Sequence, residues 1–484
     1  VMASALPADA LADRLADVRA KVLVTQDGSW RHGVILPLKA RADEAIPAAA
    51  VVEHTIVVRR IGIDVPWYEG DRWYDDLVAG PRPGAISPVQ PPEPIDSAHP
   101  LLIAYIANRR GRPTGIVHGT GGFLTCAAAI HRDGLCSHSD DILWMPSEIA
   151  WIGTQSSGIY GPLACGGTSV LFEGMLDTPT HARSWELIER YGVTTLATTP
   201  SVFRNLRRWT DSPPNSEQLR SLRRVVTAGE PLEADLLEWV HAEIAGDSAV
   251  VADAWGQTEL GGIVILSDRT GDAGGLPDPG ADVVDEHGSS VAPGVTGELV
   301  LREPWPGTFV GIENEASSAE RPWHCYDGLY ATGDSAIRKP DGGFLFLGRI
   351  DPVTSVSGQL VSLTEVRDAL LEHPFVEDAE VVDPVDRLEG QTLAACVVLT
   401  DPVAGDPALA QSLRDHLRDR LGGLAQPRVV LFVQAFPPDV AEEPLRQALR
   451  MLCTSHTSHS TMISEEQVRA AALGAISGTA TASA

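Results

Sequence analysis

Apolar strands alternate with amphipathic helices from Leu101 to Leu266, and this alternation restricts the fold of the chain more than any other feature. A typical stretch has strands at 169–172 and 194–198 and helices at 184–191 and 201–209. Parallel strands need a long crossover connection, which is usually a helix. Because helices separate successive strands here, the pattern predicts an α/β fold with a mostly parallel sheet that helices cover.

Two other patterns follow along the chain. Between Gly280 and Leu347, short strands with glycine turns predict a small β-rich subdomain. After Asp351, alternating helices and strands predict a compact α+β unit. We therefore expect a large N-terminal domain of layered α/β sheets over residues 1–350 and a small α+β C-terminal domain over 351–450. We expect a peripheral tail over 451–484, for which the sequence shows no obvious core.

Composition disfavours several classes of partner. The chain has 484 residues, of which 37 are basic and 65 acidic, so its net charge of −28 argues against nucleic acid or an anionic membrane. Six scattered cysteines without a Cys-x-x-Cys pair indicate reduced thiols, and no apolar run has the length of a membrane span. We therefore expect a cytoplasmic protein. Only Lys21, Lys39 and Lys339 are lysines, so lysine-dependent chemistry has three places to occur.

The turn Trp255-Gly256-Gln257-Thr258-Glu259 follows an apolar strand that ends in Asp253. In α/β sheets, ligands bind at the carboxyl ends of the strands. The turn offers an aromatic ring for a base, a glycine for close approach, a hydroxyl, and a carboxylate that can hold Mg²⁺ beside a phosphate. By itself, the same turn is also typical of ordinary packing around a buried tryptophan.

Three further motifs place this turn in a known family. Tyr-Ala-Thr-Gly-Asp stands at 330–334, Leu-Gly-Arg-Ile-Asp at 347–351 and Val-Ser-Gly at 356–358. In this order and at these separations, the motifs resemble the acyl-adenylate-forming superfamily, in particular acetyl-CoA synthetase and its medium-chain relatives. The likeness runs from about residue 12 to about residue 450. It implies an acid–CoA ligase of the AMP-forming type, in which an acid attacks the α-phosphate of ATP to form an acyl-adenylate. The small domain then moves about a hinge, and a thiol, usually that of CoA, captures the acyl group.

The resemblance also implies roles for residues of this chain. The implied ligands are ATP or AMP, Mg²⁺, CoA and a small carboxylic acid. The nucleotide site would comprise Gly229, Glu230, Pro231, Asp253, Ala254, Trp255, Gln257, Asp334 and Arg349. Thr258 and Glu259 would be catalytic, with Glu259 beside the metal; Asp351 would be the hinge, and Ser357 and Gly358 would contact CoA. The acyl pocket would comprise Ile152, Gly153, Ala228 and Gly256.

The chain departs from the family pattern around the phosphates. The family's phosphate loop of Thr, Ser and Gly, ending in Lys-Pro-Lys-Gly, corresponds to 105–115, where 106–110 read Ile-Ala-Asn-Arg-Arg and the second lysine is Thr114. The family's Ser-Gly-His-Arg ends here in Leu360, and Glu443 stands at the adenylation lysine. A carboxylate repels the negative charge that develops on phosphate, whereas a cation stabilises it. We therefore predict that adenylation is impaired.

The acyl pocket carries smaller residues than acetyl-CoA synthetases. Gly256 replaces a tryptophan, Ala228 a valine and Gly153 a threonine. Because each deleted side chain frees volume, these replacements predict an acid larger than acetate. Neutral drift in an unused pocket is the alternative.

Several alternatives for the whole chain stay open at the sequence level. It begins with Val1, and about the first quarter of an acetyl-CoA synthetase has no counterpart before it. A partner protein that supplies the missing parts is one alternative to a slow enzyme. A non-catalytic scaffold or regulatory homologue that binds nucleotide or acyl-adenylate is another, and a degenerate gene fragment is a third.

Overall fold

A computed structural model of the chain describes residues 1–4, 6–31, 33–79, 91–107, 113–136, 138–246, 248–268, 279–313, 326, 328–356, 359–386, 390–400, 405–455 and 462–482. The predicted contacts of Ser357 and Gly358, and residues 108–112 of the predicted phosphate loop, lie outside this set. In the described part, no helix is both long and apolar enough to cross a membrane.

The first part of the chain forms a small parallel sheet with helices packed on it. Its strands are β1 (Val22–Gln26), β2 (Ser29–Arg31), β3 (Val34–Leu36), β4 (His54–Val58) and β5 (Asp71–Trp73), and its helices are α1 (Ala8–Asp17), α2 (Leu38–Ala49) and α3 (Tyr74–Val78). The sheet order is β1-β4-β5, with β2 and β3 as a separate hairpin. Leu15 and Leu23 are buried between α1, α2 and β1, which gives this part its own apolar cluster.

The central part forms the six-stranded sheet that the alternating pattern predicts. The strands of this part are β6 (Pro100–Ile106), β7 (Thr114–Gly119), β8 (Ile142–Trp144), β9 (Thr168–Val170), β10 (Thr195–Thr198), β11 (Arg224–Ala228), β12 (Val250–Gln257) and β13 (Gly262–Asp268). Strands β8 to β13 form the six-stranded sheet, and β6 pairs with β7 in a separate sheet. Its helices are α4 (Thr120–Ala129), α5 (Gly161–Cys165), α6 (Arg183–Tyr191), α7 (Pro200–Arg208), α8 (Ser216–Leu219) and α9 (Ala234–Trp239), with π-helical turns at Ile130–Leu135, Thr154–Tyr160 and Val240–Ala245.

The order of the large sheet is β13-β12-β11-β10-β8-β9. All neighbours are parallel except β13, which runs antiparallel to β12. The α/β class is therefore confirmed. Helix α7 begins at Pro200, where the missing N–H costs nothing because the first turn has no partner for it.

A four-stranded antiparallel sheet follows, as the glycine-turn pattern indicates. It contains β14 (Ala281–Val284), β15 (Thr296–Leu301), β17 (Tyr330–Arg338) and β18 (Phe344–Arg349), in the order β14-β15-β17-β18, while β16 (Gly311–Ile312) pairs with β7. Leu299 and Tyr330 from this sheet share one buried cluster with Trp255 of β12. This shared core fixes the ends of β17 and β18 beside the end of β12.

The C-terminal part is an α+β unit with apolar clusters of its own. It contains β19 (Val353–Val356), β20 (Gln359–Ser362), α10 (Leu363–Leu371), β21 (Val376–Val382), β22 (Val385–Asp386), β23 (Gly390–Gln391), β24 (Ala394–Leu399), α11 (Pro407–Leu421), β25 (Val429–Phe432), α12 (Glu442–Ser455) and α13 (Glu465–Ala482). Sheet β21-β24-β25 forms its centre.

The beginning of the tail packs into this unit, although the sequence showed no core for it. Ile463 and Val468 are fully buried in one cluster with Leu449 and Cys453, and Ile463 bridges to Val433 at the sheet edge. Residues 462–472 are therefore not peripheral. The apolar face that receives them is formed by α12 and β25, so the tail's own sequence could not reveal it.

Candidate active site

The carboxyl ends of β10, β11 and β12 open into a large cleft of about 2670 Å³. Most of the residues that the sequence singled out line it: Ile152, Gly153, Ala228, Gly229, Glu230, Pro231, Ala254, Trp255, Gly256, Gln257, Thr258, Glu259, Asp334 and Arg349. Asp253 and Asp351 are not part of the lining. The cleft therefore lies at the edge of the sheet where α/β proteins usually bind ligands.

The Asp334 carboxylate is the best-supported group in the cleft. Its Oδ2 accepts hydrogen bonds from Gln257 Nε2 at 2.7 Å and from Trp255 Nε1 at 3.2 Å. Gln257 is itself held, since its Nε2 also donates to the Thr332 carbonyl oxygen and its Oε1 accepts from Tyr330. Burial raises the pKa of Asp334, and the charge of Arg349 acts against this shift. Two donors from β12 thus hold one carboxylate oxygen in a fixed position.

Arg349 is surrounded by carboxylates. Its Nε and Nη2 donate to the two oxygens of Asp351 at 2.8 and 2.6 Å, and its Nη1 lies 3.7 Å from Asp334 Oδ2. Burial opposes the charge of Arg349, but Asp334 and Asp351 outweigh it and raise its pKa. Burial raises the pKa of Glu259 too, with Arg349 acting against it. The Arg349 guanidinium is therefore hydrogen-bonded to Asp351 and lies near Asp334.

Thr258 and Glu259 lie in a tight turn, Thr258–Leu260, between β12 and β13. His118 supports this turn from β7, because its Nε2 donates to the Thr258 carbonyl oxygen at 2.6 Å. Burial lowers the pKa of His118, so the ring stays neutral and the hydrogen bond fixes its tautomer. The sequence analysis missed His118, although a histidine inside the buried run 115–119 was a signal.

Glu259 and the Thr258 hydroxyl are suitable ligands for Mg²⁺ that is shared with phosphate. Mg²⁺ usually binds through one or two carboxylates and keeps waters and phosphate oxygens as its other ligands. Among the described residues, no group of three His, Cys, Asp or Glu side chains could hold a metal alone. A carboxylate beside a hydroxyl therefore fits Mg²⁺ that takes its other ligands from water and phosphate oxygens.

The loop Gly229-Glu230-Pro231 is held from the side of α7. Arg204 donates through Nη1 to Glu230 Oε2 at 2.9 Å and through Nη2 to Glu233 Oε1 at 3.0 Å. Ser201 Oγ donates to the other Glu230 oxygen. The side chains of Arg204 and Glu230 are both nearly inaccessible, so the Glu230 carboxylate supports the loop, and the loop backbone faces the cleft.

The small C-terminal unit holds the same loop from the opposite side. Ser355 Oγ donates to the Gly229 carbonyl oxygen at 2.8 Å, and Gln391 Oε1 accepts from Thr354 Oγ1. Gly390, with φ +78°, lies flat against the Arg204 guanidinium, and a Cβ at this position would overlap it. The position of the small unit is thus coupled to the loop at the nucleotide end of the cleft.

Family comparisons agree with this geometry. A model described as AMP-binding enzyme matches residues 1–311, and one described as AMP-binding enzyme C-terminal domain matches residues 365–439. The chain belongs to the AMP-binding enzyme family. It is similar to acetyl-coenzyme A synthetase of Streptomyces coelicolor (38% identical over 91% of this chain and 69% of that protein). Similar matches are those of Pyrobaculum aerophilum (36%, over 94% and 69%) and Mycobacterium bovis (38%, over 92% and 70%).

Asp253, expected at the base in AMP-binding enzymes, is turned to a neighbouring strand here. Its Oδ1 accepts from Thr227 Oγ1 at 2.7 Å, across the parallel pair of β11 and β12. Burial raises the pKa of Asp253 to about 7, which the Thr227 hydrogen bond and Lys339 only partly oppose. The Asp253 side chain is therefore held between β11 and β12 and does not line the cleft.

Gly256 does not open the acyl pocket in the way that the sequence suggested. A Cβ on Gly256 would overlap the carbonyl oxygen of Gly262 and lie 2.6 Å from its carbonyl carbon. The register of β12 and β13 shifts between Trp255 and Gly256, which brings the two backbones together. The backbone of β13 thus occupies the direction in which a Cβ on Gly256 would point. The sequence could not show this contact because it lies between two strands.

Gly153 is covered by a neighbouring side chain rather than by backbone. A Cβ on Gly153 would lie 2.8 Å from the Cη2 and Cζ3 atoms of Trp151. Trp151 is half-buried and lines the cleft together with Ile152 and Ala228. The sequence analysis missed Trp151, since only the spatial contact shows that its indole lies over the glycine.

The two substituted positions of the small unit lie in different places. Leu360 and its neighbour Gln359 line the cleft, on the same wall as Ser355. Glu443 is outside the cleft lining at the exposed start of α12, where it lies 3.4 Å from Arg450. In this arrangement, Leu360 borders the cleft and Glu443 does not.

None of the three lysines, all of which lie in the described part, lines the cleft. Lys21 pairs with Glu53 at the surface, and Lys39 is fully buried against Asp71 at 2.8 Å. Lys339 follows β17 and acts on Asp253 from behind the sheet.

Proposed function

We propose that the chain binds AMP, ATP or an acyl-adenylate in this cleft, together with a carboxylic acid larger than acetate. We propose also that it forms acyl-adenylate from ATP only slowly. The observation that carries the nucleotide part is the buried Asp334 carboxylate, held by Gln257 and Trp255 and flanked by Arg349. A fixed carboxylate with free acceptor capacity suits two vicinal hydroxyls of a ribose, because charged acceptors make the strongest hydrogen bonds.

The chain's own residues divide the work of binding. Asp334 accepts the ribose hydroxyls, and the backbone of 229–231 borders the base. The Thr258 hydroxyl and the Glu259 carboxylate face the phosphates. Mg²⁺, when it is bound with ATP, neutralises phosphate charge beside Glu259. The same proposal includes a large domain over 1–350 and a small domain over 351–450, which moves about a hinge at Asp351. It also includes CoA as the acceptor of the acyl group, bound at 357–358.

Slow adenylation is supported by the balance of charge. Transfer at the α-phosphate builds negative charge, and removing one fixed donor from such a site typically costs 10²–10³ in rate. Arg349 is committed to Asp351 and Asp334, and Leu360 places an apolar group at the cleft wall. The described lining contains no lysine.

The proposal of a larger acid depends on Ala228 and Gly153. Ala228 is buried at the end of β11 and adds only a methyl group to the cleft wall. Above Gly153 lies the Trp151 indole, a side chain that can rotate, unlike the backbone that fills the space at Gly256. A larger acid can therefore extend in this direction when the Trp151 indole rotates away.

Calorimetric titration with AMP tests the nucleotide site. Asp334→Asn should weaken AMP binding roughly tenfold to a hundredfold, because a hydrogen bond to a charged group contributes about 1.5–3 kcal/mol. Asp64→Asn, at an exposed aspartate outside the cleft lining, is the matched control and should bind AMP like the unchanged chain. Equal affinities in the two variants would exclude a ribose role for Asp334.

A non-catalytic nucleotide-binding homologue is the second candidate function. The absence of lysine from the described lining and the apolar Leu360 favour it. AMP binding without pyrophosphate release from ATP, for every acid of a graded series, would support this candidate. Release with one of the acids would favour the slow enzyme. No binding of AMP at all would contradict both and leave a degenerate copy of the fold.

A further inference from the structure

We infer that the Trp151 indole sets the length of the acyl group that the cleft accepts. This inference rests on the proposed function, because it assigns a specificity-determining residue to the same site. Trp151 is not one of the positions, Gly256, Ala228 and Gly153, at which the sequence predicted a change in the acyl pocket. Three observations carry it: the closure at Gly256, the cover over Gly153, and the way the Trp151 backbone is held.

The closure at Gly256 removes one direction in which an acyl chain could extend. The backbone of Gly262 occupies the space beside Gly256, and a Cβ on Gly262 would in turn overlap the Ser156 hydroxyl. Backbone and a fully buried serine form this wall. Close-packed backbone does not yield to a ligand without loss of sheet pairing. An acyl group therefore cannot extend between β12 and β13.

The cover over Gly153 leaves a second direction that a side chain controls. Three atoms of the six-membered ring of Trp151 lie 2.8–3.0 Å from the position of a Cβ on Gly153. The glycine is what permits the indole to lie there, since any larger residue at 153 forces the ring away. The indole is half-buried, lines the cleft, and packs against the apolar cluster that contains Ala228 and Ile263.

The backbone of Trp151 is fixed while its side chain keeps two rotatable bonds. Its N–H donates to the Glu148 carbonyl oxygen at 3.0 Å, and its own carbonyl accepts from Gln155 N–H at 3.0 Å. A long acyl chain must therefore displace the indole by rotation, which exposes apolar ring surface and costs binding energy. A short acyl chain leaves the ring in place.

Dissociation constants of non-hydrolysable acyl-adenylate analogues test the inference. N-acylsulfamoyl adenosines with acetyl, butyryl, hexanoyl and octanoyl groups are titrated against the unchanged chain, with AMP as the reference ligand. Trp151→Ala should improve binding of the longer analogues by about fourfold for each added methylene, the value for burying one CH₂ group. Its affinity for AMP should not change.

Trp209→Ala is the matched control. Trp209 also lines the cleft, but its ring stacks on His181. The dependence of affinity on chain length should stay as in the unchanged chain. Trp151→Phe removes part of the indole and should shift the preference for acyl chain length in the same direction as Trp151→Ala, by a smaller amount. This variant tests the inference if Trp151→Ala does not fold.

Gly153→Thr completes a double-mutant cycle. Alone, it should displace the indole and change the preference for chain length, whereas in the Trp151→Ala background it should have a smaller effect because its partner is gone. An unchanged chain-length profile in both Trp151 variants, with AMP still bound, would overturn the inference and leave the proposed function standing. If the unchanged chain binds neither AMP nor any of the analogues, the proposed function itself would be overturned.

Discussion

At the scale of single residues, the structure separates positions that tolerate a side chain from positions that do not. By sequence, Gly256 and Gly153 look alike, because the resemblance to acetyl-CoA synthetases predicts a larger residue at both positions. One faces the backbone of Gly262, and the other faces the movable ring of Trp151. A glycine therefore lies against fixed backbone at one position and against a movable side chain at the other.

Gly256→Ala should lower the free energy of unfolding of the chain by roughly 1–3 kcal/mol, the usual cost of overpacking. The added methyl group would collide with the Gly262 carbonyl, so β12 and β13 must separate. Denaturant titration measures this. Gly423→Ala is the control, because a Cβ there meets nothing within 4 Å. Equal stability of the two variants would show that the strands are not in contact at Gly256.

Asp253 should make the stability of the chain depend on pH. Its pKa is raised to about 7 by burial, so the folded state holds a proton that the unfolded state releases near pH 4. Stability should therefore fall as pH rises from about 4 to about 7, with a slope of at most about 1.4 kcal/mol per pH unit, and stay level above that range. Asp253→Asn should remove this part of the slope in denaturant titrations, and Asp64→Asn should keep it. Identical slopes would contradict the burial of an ionisable carboxyl at this position.

At the scale of elements, the loop between β11 and α9 is held from two sides. Arg204 of α7 binds Glu230, and Ser355 of β19 donates to the carbonyl of Gly229. Gly390 of β23 then packs on the back of the same arginine. A change in the position of the small unit must therefore alter the support of the loop.

Gly390→Ala should loosen this contact without changing the buried core of either unit. Hydrogen exchange at the backbone amides of 229–231 and 353–356 should become faster, because the added methyl group displaces Gly390 from Arg204. Gly342→Ala controls for backbone strain, since Gly342 also has a positive φ (+92°) but meets nothing within 4 Å. Equal exchange in the two variants would show that the contact does not hold the loop.

Element periodicity allowed the sequence to predict the parallel sheet, the β-rich sheet and the α+β unit, because strands and helices alternate locally. It did not predict that β13 turns antiparallel and closes the space at Gly256, since that contact joins two strands through their backbones. His118 and Trp151 were missed for a similar reason. Each acts on a residue that only the fold brings near, Thr258 and Gly153. The core of the tail at Ile463 likewise depends on α12 and β25.

At the scale of the whole molecule, the distribution of charge is the property that bears most directly on the proposed function. The net charge is −28, and the described cleft lining carries arginines but no lysine. At the nucleotide end, Arg349 is shared among carboxylates. Leu360 and Glu443 are the two positions in the small unit where the resemblance predicts a cation, and of the two only Leu360 borders the cleft.

Leu360→Arg should therefore strengthen binding of ATP with Mg²⁺ and raise pyrophosphate release, by tenfold or more if the guanidinium reaches the phosphates. Glu443→Lys alone should have a small effect unless the small unit changes position, since Glu443 lies outside the lining. Leu371→Arg, at an exposed leucine of α10, is the control for added charge. An equal gain from Leu371→Arg would show that net charge, and not the position of Leu360, limits turnover.

Pyrophosphate release by the purified chain alone, with ATP, Mg²⁺ and a graded series of carboxylic acids, tests the central claim most directly. The acetyl-coenzyme A synthetase of Streptomyces coelicolor, assayed beside it, provides the reference rate. If the chain retains a nucleoside site but lacks a cation at the phosphates, it should bind AMP measurably. Its pyrophosphate release should then be at least about 100-fold slower than that of the reference with every acid. Release at a rate comparable to the reference with any one acid would contradict the claim.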